Sequence, residues 1–191
     1  MDTQNFLSLF QEVLARKLPL NSALTSTENW IADTGRLKAA TAQLRADFYP
    51  LPESLTVLLQ LLLSDQPSPI RQLAATQAAR SLVPKHWKKL PGEQKDEFRQ
   101  QLLQGTLREE DQLVRHASSR VITAVAKIDL QNGDWLDVVD VVMRAASSSD
   151  RRQREVGTYL LFTSLEAIGE TIKPRFPEML QIFTKTISKE P

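Results

Sequence analysis

The chain has 191 residues, no cysteine, and 24 Lys and Arg against 23 Asp and Glu. The lack of cysteine excludes disulfides and thiolate chemistry, and the balanced charge gives no overall field that would attract nucleic acid or an anionic membrane. The longest apolar stretch, 55–63, is far shorter than the roughly 20 residues that span a bilayer, and the acidic, polar amino terminus is unlike a secretory signal. We therefore expect a protein of the cytoplasm or nucleus that binds neither membrane nor nucleic acid directly.

The first two apolar stripes have the spacing of helices. One consists of Phe6, Phe10, Val13 and Leu14, and the other of Leu37, Ala40, Leu44 and Phe48. Each stripe is followed by a proline, Pro19 after the first and Pro50 after the second, and a proline ends or kinks a helix. We interpret the two stripes as the outer and the inner helix of a first helix pair.

The same alternation of outer and inner helix is predicted twice more. In the second pair the outer stripe is Leu55, Leu58, Leu59 and Leu62, and the inner stripe is Ile70, Leu73, Ala74 and Leu82, ending at Pro84. In the third pair the outer stripe is Phe98, Leu102, Leu103 and Leu107, and the inner stripe is Val114, Ala117, Val121, Ile122 and Val125. Each stripe covers one side of a helix, so each pair must bury its apolar faces against its neighbours.

The fourth pair opens after a turn at Asn132-Gly133, where Asp134 is placed to cap a helix that begins at Trp135. The valines between 138 and 142 would also suit a strand. We predict a helix, because the apolar faces recur at helical spacing and a lone strand in a helical array would have no pairing partner.

The inner helix of the fourth pair is predicted from about Arg152 to Glu166, with Gly169 as its end. A fifth outer stripe follows, made of Phe176, Met179, Leu180, Phe183 and Ile187. It has no inner partner. Because solenoids need polar caps at their ends, we expect the chain to be the start of a longer protein.

Every predicted inner helix carries a basic residue that is followed three positions later by a small one. The four basic residues are Lys38, Arg71, Arg115 and Arg154, and they lie 33, 44 and 39 residues apart. A period near 40 residues with two helices in each copy is typical of HEAT repeats. We predict an all-α HEAT-repeat α-solenoid of about four helix pairs plus a lone fifth outer helix. It forms a single array over 1–191, with repeats at 1–49, 50–90, 91–132, 133–169 and an incomplete 170–191.

The four basic residues have two interpretations. They could form a structural ladder of hydrogen bonds between neighbouring repeats, with Asp65, Glu109 and Asp150 as acceptors, or they could contact a partner. We favour the ladder. The run Lys85, His86, Lys88 and Lys89 likewise suits either a solvated loop or an acidic partner surface, while Trp87 and Trp135 are expected to pack between repeats.

Several segments resemble the amino-terminal region of the importin-β (karyopherin-β) family of nuclear transport receptors. Pro69-Ile-Arg71-Gln-Leu-Ala-Ala75 and Phe48-Tyr49-Pro50 resemble the family's first repeats. Five further segments resemble the branch that imports core histones and ribosomal proteins. They are Lys85-His-Trp-Lys-Lys-Leu-Pro91, Leu113-Val-Arg-His116, Lys127-Ile-Asp-Leu130, Asn132-Gly-Asp-Trp135 and Arg154-Glu-Val-Gly157. The resemblance covers essentially the whole chain.

The resemblance implies a receptor that binds the small GTPase Ran in its GTP form on concave inner helices and shuttles between cytoplasm and nucleus. Basic protein cargo, such as histones or ribosomal proteins, would bind mainly to later repeats, and nucleoporins would be further partners. Polar residues of the inner helices that point away from the apolar stripes are the expected Ran contacts. They are Gln72, Thr76, Arg80, His116, Arg120, Thr123, Glu155 and Tyr159.

Catalysis finds little support in the sequence. His86 and His116 belong to different repeats, there is no His-Glu-x-x-His motif or cysteine cluster for zinc, and no glycine-rich phosphate loop. Asp137 and Asp140 are more typical of a solvated helix face than of an acid and base pair. We expect no enzyme, catalytic residue, metal or cofactor, and the alternative to a transport receptor is a general HEAT scaffold that is not linked to Ran.

Overall fold

The computed structural model describes residues 2–14 and 27–189, and within these ranges every regular element is a helix. The α-helices are α1 (Thr3–Leu14), α2 (Thr27–Gln43), α3 (Glu53–Leu62), α4 (Ser68–Gln77), α5 (Val83–His86), α6 (Gly92–Arg108), α7 (Gln112–Gln131), α8 (Val138–Ala146), α9 (Arg151–Ile172) and α10 (Phe176–Lys189). The all-α class is confirmed, and the valine-rich segment that also suited a strand is helical in α8.

The helices pack as pairs whose inner members follow one another. Outer helices α3, α6 and α8 pack against inner helices α4, α7 and α9, while α4 packs against α7 and α7 against α9. The apolar stripes of the sequence form one contiguous buried cluster, in which Leu58, Leu102, Val121 and Leu160 are almost completely enclosed. This succession confirms the predicted α-solenoid and places polar faces of α4, α7 and α9 side by side.

Two inner helices contain a π-helical turn, at Leu44–Phe48 and at Ala78–Leu82. In the second of these turns the N–H of Val83 donates to the carbonyl oxygen of Ala78, five residues earlier. Pro84 lies in the first turn of α5, where a missing N–H costs little. The helical path therefore continues past Pro84 to His86, and our expectation that it would end at this proline was wrong.

The start of the fourth pair also differs from the prediction. Helix α8 begins at Val138, and Asp137 rather than Asp134 holds its N-cap position. The N–H groups of Asn132, Gly133 and Asp134 donate to carbonyl oxygens at the end of α7. Trp135 then adopts a left-handed conformation with φ of 54°. These residues close α7 with a turn before the next helix can begin.

Helix α9 continues through Gly169, which we had expected to end it. The helix runs to Ile172, and Lys173 donates its N–H to the carbonyl of Gly169. Pro174 follows and has no N–H to continue the α-helical ladder, so a 3-10 turn at Lys173–Arg175 succeeds α9. The proline therefore sets this boundary more strongly than the glycine.

The small residue of the fourth basic motif, Gly157, marks the closest approach of α8 and α9. A Cβ atom at Gly157 would overlap backbone atoms of Ala145 and Ala146. The equivalent residue of the second inner helix, Ala74, is completely buried. Small side chains at this position therefore allow an inner helix to lie directly against its neighbours.

Candidate protein-binding surface

The predicted contact residues separate into two groups. Gln72, Thr76 and Arg80 lie on the second inner helix, and the other five lie on α7 and α9. The structure brings four of these five together, namely His116, Arg120, Glu155 and Tyr159. We call these four the inner-helix cluster.

The aromatic part of the inner-helix cluster is a stacked pair. The rings of His116 and Tyr159 are nearly parallel, with their centroids 4.2 Å apart. Arg120, which is exposed, donates from Nε to the Tyr159 hydroxyl oxygen at 3.3 Å. Since α7 supplies His116 and Arg120 while α9 supplies Tyr159, the packing of the two helices fixes this arrangement before any partner binds.

Glu155 is the anionic member of the cluster and accepts hydrogen bonds from three side chains of α7. Its oxygens lie 3.2 Å from Gln112 Nε2, 3.1 Å from Arg115 Nη2 and 3.2 Å from His116 Nε2. Partial burial acts to raise the pKa of Glu155, but the charge of Arg115 and the hydrogen bonds from α7 outweigh it and lower the pKa. The carboxylate is therefore held in its charged form at neutral pH.

The other four predicted contact residues differ in how freely their side chains could bind a partner. Thr123 donates to the carbonyl of Ser119 at 3.0 Å and bonds Thr163 across the α7–α9 contact, so its hydroxyl is used in helix packing. Thr76 donates to the carbonyl of Gln72 at 2.8 Å, and both residues are half-buried. Arg80 is exposed on the second π-helical turn.

Two of the four basic motif residues bridge neighbouring repeats. Arg71 forms a two-pronged ion pair with Glu109, and Arg115 pairs with Glu155 while also donating to the carbonyls of Glu109 and Glu110. The partners lie 38 and 40 residues after each arginine, close to the repeat period. This offset was the signal in the sequence that could have identified Glu155 as an acceptor.

The other ladder residues are placed differently. Arg154 donates to the carbonyls of Ser148 and Ser149 in the loop before its own helix, and Lys38 is exposed on α2. Asp150 was expected to be a ladder acceptor, but its carboxylate caps α9 by accepting from the Gln153 N–H at 2.9 Å. Asp65, also expected to be an acceptor, is exposed in the turn before α4, and Arg71 donates instead to Glu109 and to the carbonyl of Gln66.

A buried carboxylate that the sequence analysis missed joins the second and third repeats. Asp129, only 2% exposed, accepts from Trp87 Nε1 at 2.8 Å and from Arg99 Nε at 2.9 Å. The Arg99 guanidinium also lies 5.9 Å from the ring centre of Trp135. Trp87 is completely buried, and Trp135 is half-buried against the same core. Both tryptophans therefore pack between repeats, as we expected.

The basic residues between positions 85 and 89 differ in burial. His86 is buried, with Nε2 at 2.8 Å from the carbonyl oxygen of Tyr49, whereas Lys85, Lys88 and Lys89 are exposed. The histidine belongs to the repeat junction and only the lysines face solvent.

The part of the chain that the structure describes offers no group of three or more His, Cys, Asp or Glu side chains that could hold a metal ion. In the same ranges, no helix is both long enough and apolar enough to span a bilayer.

Comparison with known protein families defines the class. The family described as "Importin-beta N-terminal domain" matches residues 40–108, and the one described as "IPO5-like, TPR repeats" matches residues 110–191. The chain belongs to the importin-β family, and the resemblance seen in the sequence motifs is confirmed.

Curated relatives give the same result. The chain is 33% identical over 136 residues to "Probable importin subunit beta-4" of Schizosaccharomyces pombe, a match that covers 71% of this chain and 13% of that protein. It is 27% identical to "Importin-4" of Mus musculus and 25% identical to "Importin-4" of Homo sapiens, in each case over 83% of this chain and 14% of the relative. The chain therefore spans about one seventh of the length of these relatives.

Proposed function

We propose that this chain is the amino-terminal segment of a nuclear transport receptor that binds Ran in its GTP form and acts in nuclear import. Membership of the importin-β family supports the proposal at the level of the class. The observation that carries it further is the inner-helix cluster, in which charged and aromatic side chains from two repeats are already held in one arrangement.

The chemistry of the cluster suits a protein surface. Arg120 offers an exposed cation, the His116–Tyr159 stack offers an aromatic plane, and Glu155 offers a fixed anion. Tyr and Arg are enriched among residues that dominate binding energy. A preformed surface binds one nucleotide state more tightly only if the partner presents different contacts in its two states, as the switch regions of a GTPase do.

The wider roles belong to the same proposal. The receptor would carry basic protein cargo, such as histones or ribosomal proteins, mainly on later repeats, would bind nucleoporins, and would shuttle between cytoplasm and nucleus. It would act by binding and not by catalysis.

A titration against Ran in both nucleotide states tests the proposal. The GTP form should bind more tightly than the GDP form, and Arg80→Glu combined with Arg120→Glu should weaken GTP-state binding by at least tenfold. Both arginines are exposed, so the melting temperature should stay nearly unchanged. A matched control is Arg108→Glu with Arg144→Glu, which makes the same charge change on exposed positions of the outer helices α6 and α8.

Two results would oppose the proposal. Equal affinity for the two nucleotide states would remove the link to a GTPase cycle. Unchanged affinity in the Arg80 and Arg120 double variant would move the contact away from the inner helices. The first result would favour the alternative, a general HEAT scaffold that is not linked to Ran.

A further inference from the structure

The turn that leads into α4 carries a serine followed by a proline. Ser68 is the one serine or threonine of the 191-residue sequence that precedes a proline, and Arg71 lies three positions after it. Serine, proline, any residue and then a basic residue is the pattern that proline-directed protein kinases modify, because these enzymes recognise the proline and the positive charge beside the accepting hydroxyl. The sequence around Ser68 therefore matches a phosphorylation site.

The backbone before Ser68 is open to solvent. Residues 65–67 are exposed, Pro67 is extended with φ of −51° and ψ of 143°, and Ser68 is the half-buried first residue of α4. The first turn of α4 is closed on the carbonyl oxygen of Pro67 by the N–H groups of Ile70 and Arg71, at 2.9 and 3.2 Å. Helix ends open more readily than helix interiors, so presenting Ser68 in an extended segment disrupts little of the fold.

Ser68 lies where the second repeat meets the third, beside two carboxylates and one cation. The N–H of Val114 contributes most to the lowered pKa of Asp111, and a hydrogen bond from the Ser68 hydroxyl and the charge of Arg71 add to it. Arg71 itself pairs with Glu109. The surroundings of Ser68 thus contain one positive charge between two negative ones.

We propose that Ser68 is phosphorylated by a proline-directed kinase and that the phosphate loosens the junction between the second and third repeats. In the reaction the Ser68 Oγ attacks the γ-phosphorus of ATP, an Oγ–P bond forms as the bond to ADP breaks, and the hydroxyl proton passes to a basic group of the kinase. ADP leaves, and the phosphoserine carries about two negative charges at neutral pH. This inference goes beyond the proposed function, because it holds whether or not the chain binds a GTPase.

The phosphate adds negative charge where anions already outnumber cations. It takes the place of a hydroxyl that donates to Asp111, so an attraction becomes a repulsion. It also competes with Glu109 for Arg71, which lies three residues after Ser68 on the same helix. Because the Arg71–Glu109 ion pair joins the two repeats, both effects weaken the same junction.

Incubation of the purified chain with ATP and a cyclin-dependent kinase tests the modification site. Mass spectrometry should find one phosphoryl group, on Ser68, and Ser68→Ala should abolish its incorporation. Pro69→Ala keeps the hydroxyl but removes the proline, and it should lower the rate by about tenfold or more. The matched control is Ser81→Ala, an equally half-buried serine that no proline follows, which should be modified as fast as the parent. Circular dichroism checks that all variants are folded.

Thermal denaturation of the phosphorylated and the unmodified chain measures the effect on the junction. The melting temperature should fall by about 3–6 °C on phosphorylation and recover after phosphatase treatment. The fall should shrink as salt is raised, because salt screens the repulsion.

Two charge variants locate the repulsion. Asp111→Asn keeps a side chain that can cap α7 but removes its charge, so phosphorylation should lower its melting temperature by only about half as much. Asp134→Asn removes an exposed charge beyond the other end of α7 and should leave the fall unchanged.

Four outcomes would overturn the proposal. They are no phosphoryl group on Ser68, modification of the heat-denatured chain alone, equal rates for the parent and Pro69→Ala, and a melting temperature that stays the same or rises on phosphorylation. A rise would mean that the phosphate gains more from Arg71 than it loses against Asp111. None of these measurements contains Ran, so they fail or succeed separately from the nucleotide titration.

Discussion

Asp129 and Glu155 are two of the carboxylates that join neighbouring repeats, and their surroundings are opposite. Asp129 gathers Trp87 and Arg99 in a nearly closed interior, being 2% exposed, whereas the Glu155 side chain gathers three donors of α7 and remains 36% exposed. The chemistry of the two contacts is similar, but a buried charge cannot exchange its partners for water. Burial thus makes Asp129 a structural connection and leaves Glu155 accessible to a protein partner.

This comparison predicts that the largest loss of stability follows from removing the buried carboxylate of Asp129. Asp129→Ala should lower the free energy of unfolding by about 3–5 kcal/mol, because it leaves the Arg99 cation and the Trp87 N–H without their buried acceptor. Chemical denaturation measures this, with exposed Asp134→Ala as the control, which should change stability little. A loss below about 1 kcal/mol would mean that water replaces the carboxylate and that the site around Asp129 is open to solvent.

The second largest effect concerns packing rather than charge, at the contact between α8 and α9. Gly157→Ala should destabilise by about 3 kcal/mol, because its new Cβ meets backbone atoms that cannot rotate away. Gly169→Ala is a control within the same helix. Nothing lies within 4 Å of a Cβ there, so the alanine should stabilise by roughly 0.5–1 kcal/mol. Thermal denaturation of both variants should therefore give shifts of opposite sign, and equal shifts would contradict the close approach.

A smaller loss of stability is expected at Arg115, the basic motif residue that pairs with the exposed Glu155. Arg115→Ala should cost about 1–2 kcal/mol, since the carbonyls of Glu109 and Glu110 lose their donor and Glu155 loses one of three. Urea titration gives the value. The corresponding change at an exposed arginine, Arg108→Ala, should stay within about 0.5 kcal/mol, and an equal loss in both variants would show that Arg115 has no special role.

The smallest effect should be that of Glu155 itself. Glu155→Gln is expected to cost at most about 1 kcal/mol at pH 7, because water screens a side chain that is one third exposed. The pKa of Glu155 is lowered in the folded state, so its contribution is present above the ordinary glutamate pKa of about 4.3 and is lost as pH falls through the folded value. The stability difference between wild type and Glu155→Gln should therefore shrink below about pH 4. A difference that persists in acid would mean that hydrogen bonding, and not charge, carries the contribution.

Much of the fold could be predicted from the sequence, because apolar spacing is a local property that the chain itself displays. The stripe through Leu55 and Leu58 and the stripe through Val114 and Val121 became buried helix faces. Boundaries were less predictable. Asp134 has the chemistry of a capping residue, but it lies in the turn that closes α7, and α8 starts only at Val138. Gly169 is a weaker stop than Pro174.

The candidate site was only partly predictable for a similar reason. His116, Arg120 and Tyr159 could be selected as polar positions of inner helices, but their mutual contacts depend on how far α7 and α9 are shifted along each other. Asp129 looked like an ordinary polar residue near the end of a helix, and nothing local showed that Trp87, 42 residues earlier, would donate to it. Long-range pairing of this kind depends on how the repeats stack, so it cannot be predicted from any single segment of the sequence.

The π-helical turn at Ala78–Leu82 sets the rotational phase of everything that follows it in the second inner helix. One extra residue in a turn sets the later side chains back by up to about 100° around the axis relative to a continuous α-helix. With this shift His86 contacts Tyr49 in the first repeat, and Trp87 contacts Asp129 in the third. Deleting one residue within the turn would rotate both side chains away from their acceptors together, so a single change of helical phase would uncouple three consecutive repeats.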